Sequence, residues 1–296
     1  DTDVDLVELL PGRTVSLGHT VRRVVDTTGF IAADMHLHSV NSHDSAMSLD
    51  LRVRSVSAEG VEWAVSSDHN YVTDFGPAIA EAELSDWLKS SVGLEVTTIE
   101  SGHFNGYPLR YDLSDVTRGA IAWGDRPPGE IFDRLRALGV YGPEETLVQV
   151  NHPRAPVLGY FGQYKLGTFS TEQVSGGIAD IFLAANGPAF LGPTGRSTFS
   201  FDFDLLEVVN GKLYRDVHHY RVPETLPPDA PPGLPPPGTI VTDDDGEAVF
   251  PGVVDDWYNL LNAGYRFVAV GTSDSHNAIG EAGFFRTMVY VGSDDV

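Results

Sequence analysis

Phe30-Ile31-Ala32-Ala33-Asp34-Met35-His36-Leu37-His38-Ser39 is the stretch from which the fold can be read. Its first half is apolar enough for a buried strand. In its second half His36 and His38 stand at i and i+2, so on extended backbone both imidazoles leave the same face and can reach one cation. Working outward, apolar β-rich stretches return at 61–65, 92–96, 147–150, 203–209, 267–270 and 287–291. Helical patterns fall between several of them, at 49–59, 78–90, 129–138 and 254–262. Such alternation predicts an α/β chain built on a parallel sheet or barrel.

The chain has ten histidines. His36, His38, His43, His69, His103, His152 and His276 fall at the downstream ends of predicted strands, whereas His19, His218 and His219 do not. In a parallel barrel all strand C-termini open on one face, so residues more than 200 positions apart would converge there. Asp274-Ser275-His276 repeats the i, i+2 arrangement with a carboxylate and an imidazole. In Ser67-Asp68-His69-Asn70 one of the adjacent pair points inward; His69 is expected to, with Asp68 orienting it. Glu95 is a lone carboxylate on an apolar strand, a costly burial that bridging two cations would explain. His103 and His152 supply further imidazoles. In His43-Asp44 either side chain could ligate; His43 is preferred, because His43, His69 and His276 could then hold a third metal, while Asp44 could equally cap the next helix.

Composition narrows the partners. The net charge is −23, with Lys89, Lys165 and Lys212 the only lysines, so bulk nucleic acid is not an expected partner. Cysteine is absent, and any metal must be held by nitrogen and oxygen. No apolar run approaches the ~20 residues of a membrane span. Residues 1–30 read as an N-terminal β appendage, with strands at 4–10 and 20–25, and residues 31–296 as the main domain. The proline-rich stretch between 222 and 238 is expected to be an extended surface excursion, and 155–200 a lid or binding loop. A start at Asp1, without an initiator methionine, hints at a trimmed or exported chain.

In their order, the motifs Asp34–Ser39, Ser67–Asn70, Gly93–Glu95 with His103, Asn151–Pro153 and Gly271–His276 resemble those of the polymerase and histidinol phosphatase (PHP) family. Ser42-His43-Asp44-Ser45 and Gly102-His103-Phe104-Asn105 also resemble its carbaryl-hydrolase-type branch. The resemblance implies a distorted seven-stranded (β/α) barrel holding two or three divalent metals, commonly zinc, manganese or iron. It implies that His36, His38, Glu95 and Asp274 bind the first metal, and that Glu95 bridges to a second held by His103 and His152. The third would be held by His43, His69 and His276.

The expected activity is hydrolysis of a small-molecule ester by metal-bound hydroxide. Glu95, Asp274 and His276 are the expected catalytic residues, with Arg154 as a clamp on the substrate oxyanion. Phosphoesters are the leading substrates by resemblance. Few cationic residues are available, which favours phosphodiesters over monoesters. Hydrolysis of a carbamate, amide or carboxylic ester is the alternative, and a non-catalytic metal-binding domain a third reading. Glu207 and Asn210, at another strand end, are expected to line the pocket or support the ligands. Lys212 could meet an anionic group, and Tyr160, Phe161, Tyr164 and Phe169 could cap an apolar leaving group or pack among themselves.

Overall fold

Apolar strands with inward polar residues assemble into two sheets in the computed structural model of the chain. It describes residues 25–99, 101–155, 158–164, 166, 198–213, 217, 236, 238–240, 242, 252–278 and 280–293, together with 6–8, 10–18 and 20. The elements, in order, are β1 (Phe30–Leu37), α1 (Leu49–Ala58), β2 (Trp63–Ser66), α2 (Gly76–Glu81), β3 (Lys89–Val92), β4 (Leu94–Thr97) and β5 (His103–Tyr107). Then come α3 (Pro128–Ala137), β6 (Leu147–Val150), α4 (Tyr160–Gln163), β7 (Leu205–Asn210), α5 (Val253–Asn262), β8 (Val268–Thr272) and β9 (Thr287–Tyr290).

One sheet has the order β3-β2-β1-β9 and the other β4-β5-β6-β7-β8. This mixed α/β architecture corrects the seven-stranded expectation in two ways. The apolar stretch at 92–96 spans parts of two strands that belong to different sheets, and His103–Tyr107 is a strand that the apolar pattern does not mark. Neither sheet closes on itself among the described residues. β1, β2 and β3 run parallel, as do β6, β7 and β8, but β5 is antiparallel to both β4 and β6, and β9 is antiparallel to β1. Among the described residues, isolated bridges link the sheets at Leu37 to Ser275 and His69 to Glu95, near the C-terminal ends of β1 and β4. Gly93 permits the closest approach: a Cβ there would lie 2.7 Å from Val65 Cγ1 and 2.9 Å from the Ser66 carbonyl.

The helices cover the outer faces. Ser48 caps α1 by accepting from the Leu51 amide, and the helix buries Arg52, Val53 and Val56. α3 buries Ile131, Phe132 and Leu135 in a core shared with Leu94, Phe104, Val148 and Leu206. α2 stops at Glu81, because 89–92 pairs with β2 instead of continuing the helical pattern expected to residue 90. Between the sheets lies a small apolar plug of Met35, Val65, Tyr107, Leu205 and Val270.

The expected appendage strands and the proline-rich excursion fall largely outside the described residues, as does most of 155–200. Residues 6–8 and 10–18 carry no strand. No helix among the described residues is long and apolar enough to cross a membrane.

Candidate metal centre

Strands β1, β4, β5 and β7 deliver His36, Glu95, His103 and Glu207 to the same edge. Glu95 of β4 pairs across the ladder with Asn105 of β5, which pairs with Gln149 of β6, so three polar side chains form one row. Asn151 Nδ2 donates to Glu95 Oε1 and to Asn105 Oδ1, both at 2.8 Å. Gln149 donates through Nε2 to Asn151 Oδ1 and accepts through Oε1 from the Tyr107 hydroxyl, each at 2.9 Å. This ladder fixes the Glu95 carboxylate from one side. His103 begins a strand, whereas the sequence places it after one. Because β5 runs antiparallel, its first residue still lies at the edge where β4 and β6 end.

Glu95 is fully buried and ringed by imidazoles. Oε1 lies 3.3 Å from His36 Nε2, 3.2 Å from His103 Nδ1 and 3.7 Å from His152 Nε2. Oε2 lies 2.6 Å from His69 Nδ1 and 3.6 Å from His38 Nε2. Asp274 Oδ1 approaches His36 Nε2 at 3.5 Å, His38 Nε2 at 3.3 Å and His276 Nδ1 at 3.3 Å. Among the described residues, four overlapping groups could hold a metal ion: His36, His38 and Glu95; His36, His152 and Asp274; His69, Glu95 and His103; and His38, His69 and His276. Eight of the nine expected ligands are therefore brought together. His43 is the exception: its ring is stacked obliquely on His69, 5.0 Å between centroids, and exposed. Asp44 stands in its place, with carboxylate oxygens 3.4 Å from His69 Nε2 and 3.2 Å from His276 Nε2.

The supporting partners set the tautomers. His36 Nδ1 donates to Glu207 Oε1 at 2.8 Å, which turns the Nε2 lone pair to the cluster. Ser42 donates its one hydroxyl proton to Asp68 Oδ1, so it must accept from His38 Nδ1 at 2.9 Å, and His38 likewise presents Nε2. Asp68 thus orients His38 through Ser42, not the neighbouring His69 as expected; it also accepts from Ser39 and Thr73. Asp34 accepts from the amides of His36, Ser273 and Gly283, stitching β1 to the end of β8. Two of the converging residues have left-handed backbone, His152 (φ 26) and Asp274 (φ 51). Non-glycine residues adopt that conformation at a cost and are held in it by their surroundings.

Donor chemistry fits a cation. His36 Nε2, His38 Nε2 and both ring nitrogens of His103 are buried without a hydrogen-bond partner. Each such atom costs about 1–3 kcal/mol when left unpaired, a cost that ligation removes. Burial disfavours the charged forms of Glu95 and Asp274, but surrounding imidazoles outweigh it and hold both carboxyls well below the usual carboxylate range. Burial also pulls His38 and His103 down, leaving them in the neutral form that binds metals.

Arg154 is the expected site residue that lies elsewhere. Its guanidinium makes a bidentate pair with Asp256, at 2.7 and 2.8 Å, and donates to the Leu166 carbonyl at 2.8 Å. With its donors so engaged and its side chain 6% exposed, it does not act as an oxyanion clamp here. Tyr160, Phe161 and Tyr164 pack into the core instead of capping the cleft, and Phe169 lies outside the described residues. Sequence reading missed Arg52. This fully buried arginine donates to the His38 carbonyl at 2.7 Å and to Ser275 Oγ and carbonyl at 2.9 and 3.0 Å, so one side chain ties the two i, i+2 motifs together. Gln149 also went unnoticed, although a lone polar residue in the apolar strand Leu147-Val148-Gln149-Val150 is the signal that exposes Glu95.

Replacing Glu207 with glutamine keeps its volume but removes the charge that accepts from His36, Thr272 and the His152 amide. Metal affinity is expected to fall about 10–100-fold with the fold retained, as measured by metal titration and circular dichroism.

The chain matches no family model, and no curated protein is similar to it. Among solved structures it is similar to a two-domain protein from Bacteroides vulgatus containing a predicted PHP-like metal-dependent phosphoesterase. The identity is 17%, covering 92% of this chain and 62% of that one, with a TM-score of 0.44. It is also similar to a proposed metal-dependent phosphoesterase from Bifidobacterium adolescentis, at 12% identity over 89% of this chain and 90% of that one, with a TM-score of 0.37. The chain thus spans under two thirds of the first of these proteins. Scores this low fix neither family nor function.

Proposed function

We propose that the chain is a metal-dependent hydrolase of the PHP family that cleaves phosphoesters, diesters in preference to monoesters. The observation that carries this reading is the buried Glu95 carboxylate standing within 3.7 Å of nitrogens from five histidines that arrive on four separate segments. A carboxylate so placed can be shared by two cations. His36, His38 and Asp274 would complete one shell, and His103 and His152 the other. His69 and His276 would hold a third ion, with Asp44 closer to them than His43. Zinc, manganese and iron all suit nitrogen and carboxylate donors without cysteine.

When bound, a bridged pair of divalent ions supplies hydroxide near neutral pH and draws charge from the substrate oxygens. The chain's own groups do the rest. Glu95 and Asp274 are ionised and fixed by neighbours, so they bind without rearranging. The cleft over the cluster, about 370 Å³, is bordered by Ile99, Leu158 and Leu213, which would exclude water from one side of a bound ester. His276 lies at its wall, among the residues that would hold the third ion.

Hydrolysis of an uncharged carbamate, amide or carboxylic ester by the same centre is the second reading, favoured by that apolar border. The test is metal content of the purified protein, followed by turnover of a phosphodiester, a phosphomonoester, a carboxylic ester and a carbamate after reconstitution with zinc, manganese or iron. Two or three bound ions and fastest turnover of the diester are expected. Bound metal with no turnover of any of the four would support a non-catalytic metal-binding domain instead.

A further inference from the structure

Lys212 stands where two clefts share a wall. The larger one holds the imidazole cluster; the smaller, about 300 Å³, lies beside Asn277 and Phe284, and Lys212, Asp274 and His276 line both. Among the described residues lining either cleft, it is the one lysine or arginine, in a chain whose net charge is −23. Its backbone is held in place: the Lys212 amide donates to Asn210 Oδ1 at 2.8 Å, and a Cβ on Gly211 would fall 2.4 Å from the Ser273 carbonyl. The Asn210-Gly211-Lys212 turn is therefore pressed against the end of β8, and the lysine cannot drift away from the centre.

With a cation on His276, its ammonium would lack a strong acceptor. Asp274 Oδ1 is 3.4 Å away, at the long end of hydrogen bonding. The 2.6 Å neighbour, His276 Nδ1, also lies 2.9 Å from the Asp274 carbonyl. An imidazole that ligates a cation through Nε2 carries its proton on Nδ1, and that proton goes to the carbonyl. Nothing is then left on the ring for Lys212 to donate to. A side chain 45% exposed can turn its ammonium toward the cleft.

Resting on the hydrolase reading above, we propose that Lys212 is a specificity-determining residue. It recognises the anionic oxygen of an ester carrying a single negative charge, such as a phosphodiester, while the substituent that does not react lies in the smaller cleft. One ammonium matches one charge. A dianionic monoester would face Asp44, Asp274 and Glu281 around the clefts with one cationic side chain beside the metal ions to offset them.

The test uses the metal-loaded protein, with Lys212→Gln and Lys212→Arg beside the parent. For Lys212→Gln, kcat/KM on bis(4-nitrophenyl) phosphate relative to 4-nitrophenyl acetate is expected to fall about tenfold, through KM, as loss of one charge-assisted hydrogen bond predicts. Inorganic phosphate, titrated calorimetrically, should bind about tenfold more weakly, and Lys212→Arg should recover most of both effects. Equal losses on the two esters, unchanged phosphate affinity, or loss of metal from Lys212→Gln would each overturn the proposal. If the parent turns over neither ester, the hydrolase reading fails, and phosphate affinity alone still decides the role of Lys212.

Discussion

Replacing Glu95 with alanine is expected to abolish turnover, lowering kcat/KM by roughly three orders of magnitude or more, since on the proposed reading a shared carboxylate positions the ions that contribute several kcal/mol to the transition state. The same change should lower the metal content, because both oxygens of Glu95 face imidazole nitrogens that belong to different groups of donors. Alanine also leaves the Asn151 amide and five inward imidazoles without their central anion. Glu95→Gln separates these effects: it retains the volume and an acceptor for Asn151 but cannot bridge two cations as a carboxylate does. Both variants should lose metal and activity while keeping a folded circular-dichroism spectrum, at least for the glutamine. Near-normal activity and metal content in Glu95→Gln would refute a bridging role.

The second large effect is expected at Arg52, which lines neither cleft. Burial lowers its pKa to about 10, an effect that Asp34 and Asp68 partly oppose, so it is still charged at neutral pH. Arg52→Met retains much of the length and apolar stem but removes every donor to His38 and Ser275. The carbonyls stay buried, and the charges of Asp34 and Asp68 lose their compensation. Breaking a buried charge network of this kind costs about 3–5 kcal/mol. Urea unfolding of the metal-free protein measures that loss, and the separate metal titration should show weaker binding, because the ends of β1 and β8 are no longer tied. A loss under about 1 kcal/mol would mean that water replaces the guanidinium.

These two residues differ in how they can be found. Glu95 is conspicuous in the chain, because a carboxylate amid Leu94, Val96 and their neighbours has no inexpensive burial except through partners. Arg52 is silent: on an amphipathic helix an arginine ordinarily faces solvent, and only packing of α1 against the ends of β1 and β8 makes it internal. Asp44 and His43 differ for a similar reason. Adjacent loop residues point apart, and the chain alone does not say which one the fold turns toward His69 and His276. Arg154 illustrates distance: its partner Asp256 is 102 positions away, on α5, and no local pattern announces the pairing.

What the sequence determined by itself is the set of strand ends that carry imidazoles, and with it the gathering of eight candidate ligands at one edge. Two-residue periodicity and the cost of burying Glu95 are local properties, legible without coordinates. Strand direction and side-chain pairing are not local. Only the tertiary structure decided that β5 runs backward, that the strands form two sheets where one barrel was expected, and that Arg52 and Asp44 face the centre while Arg154 does not. Those outcomes depend on which distant surfaces pack together, and the energy that selects them is spread over contacts that appear only once the chain has folded.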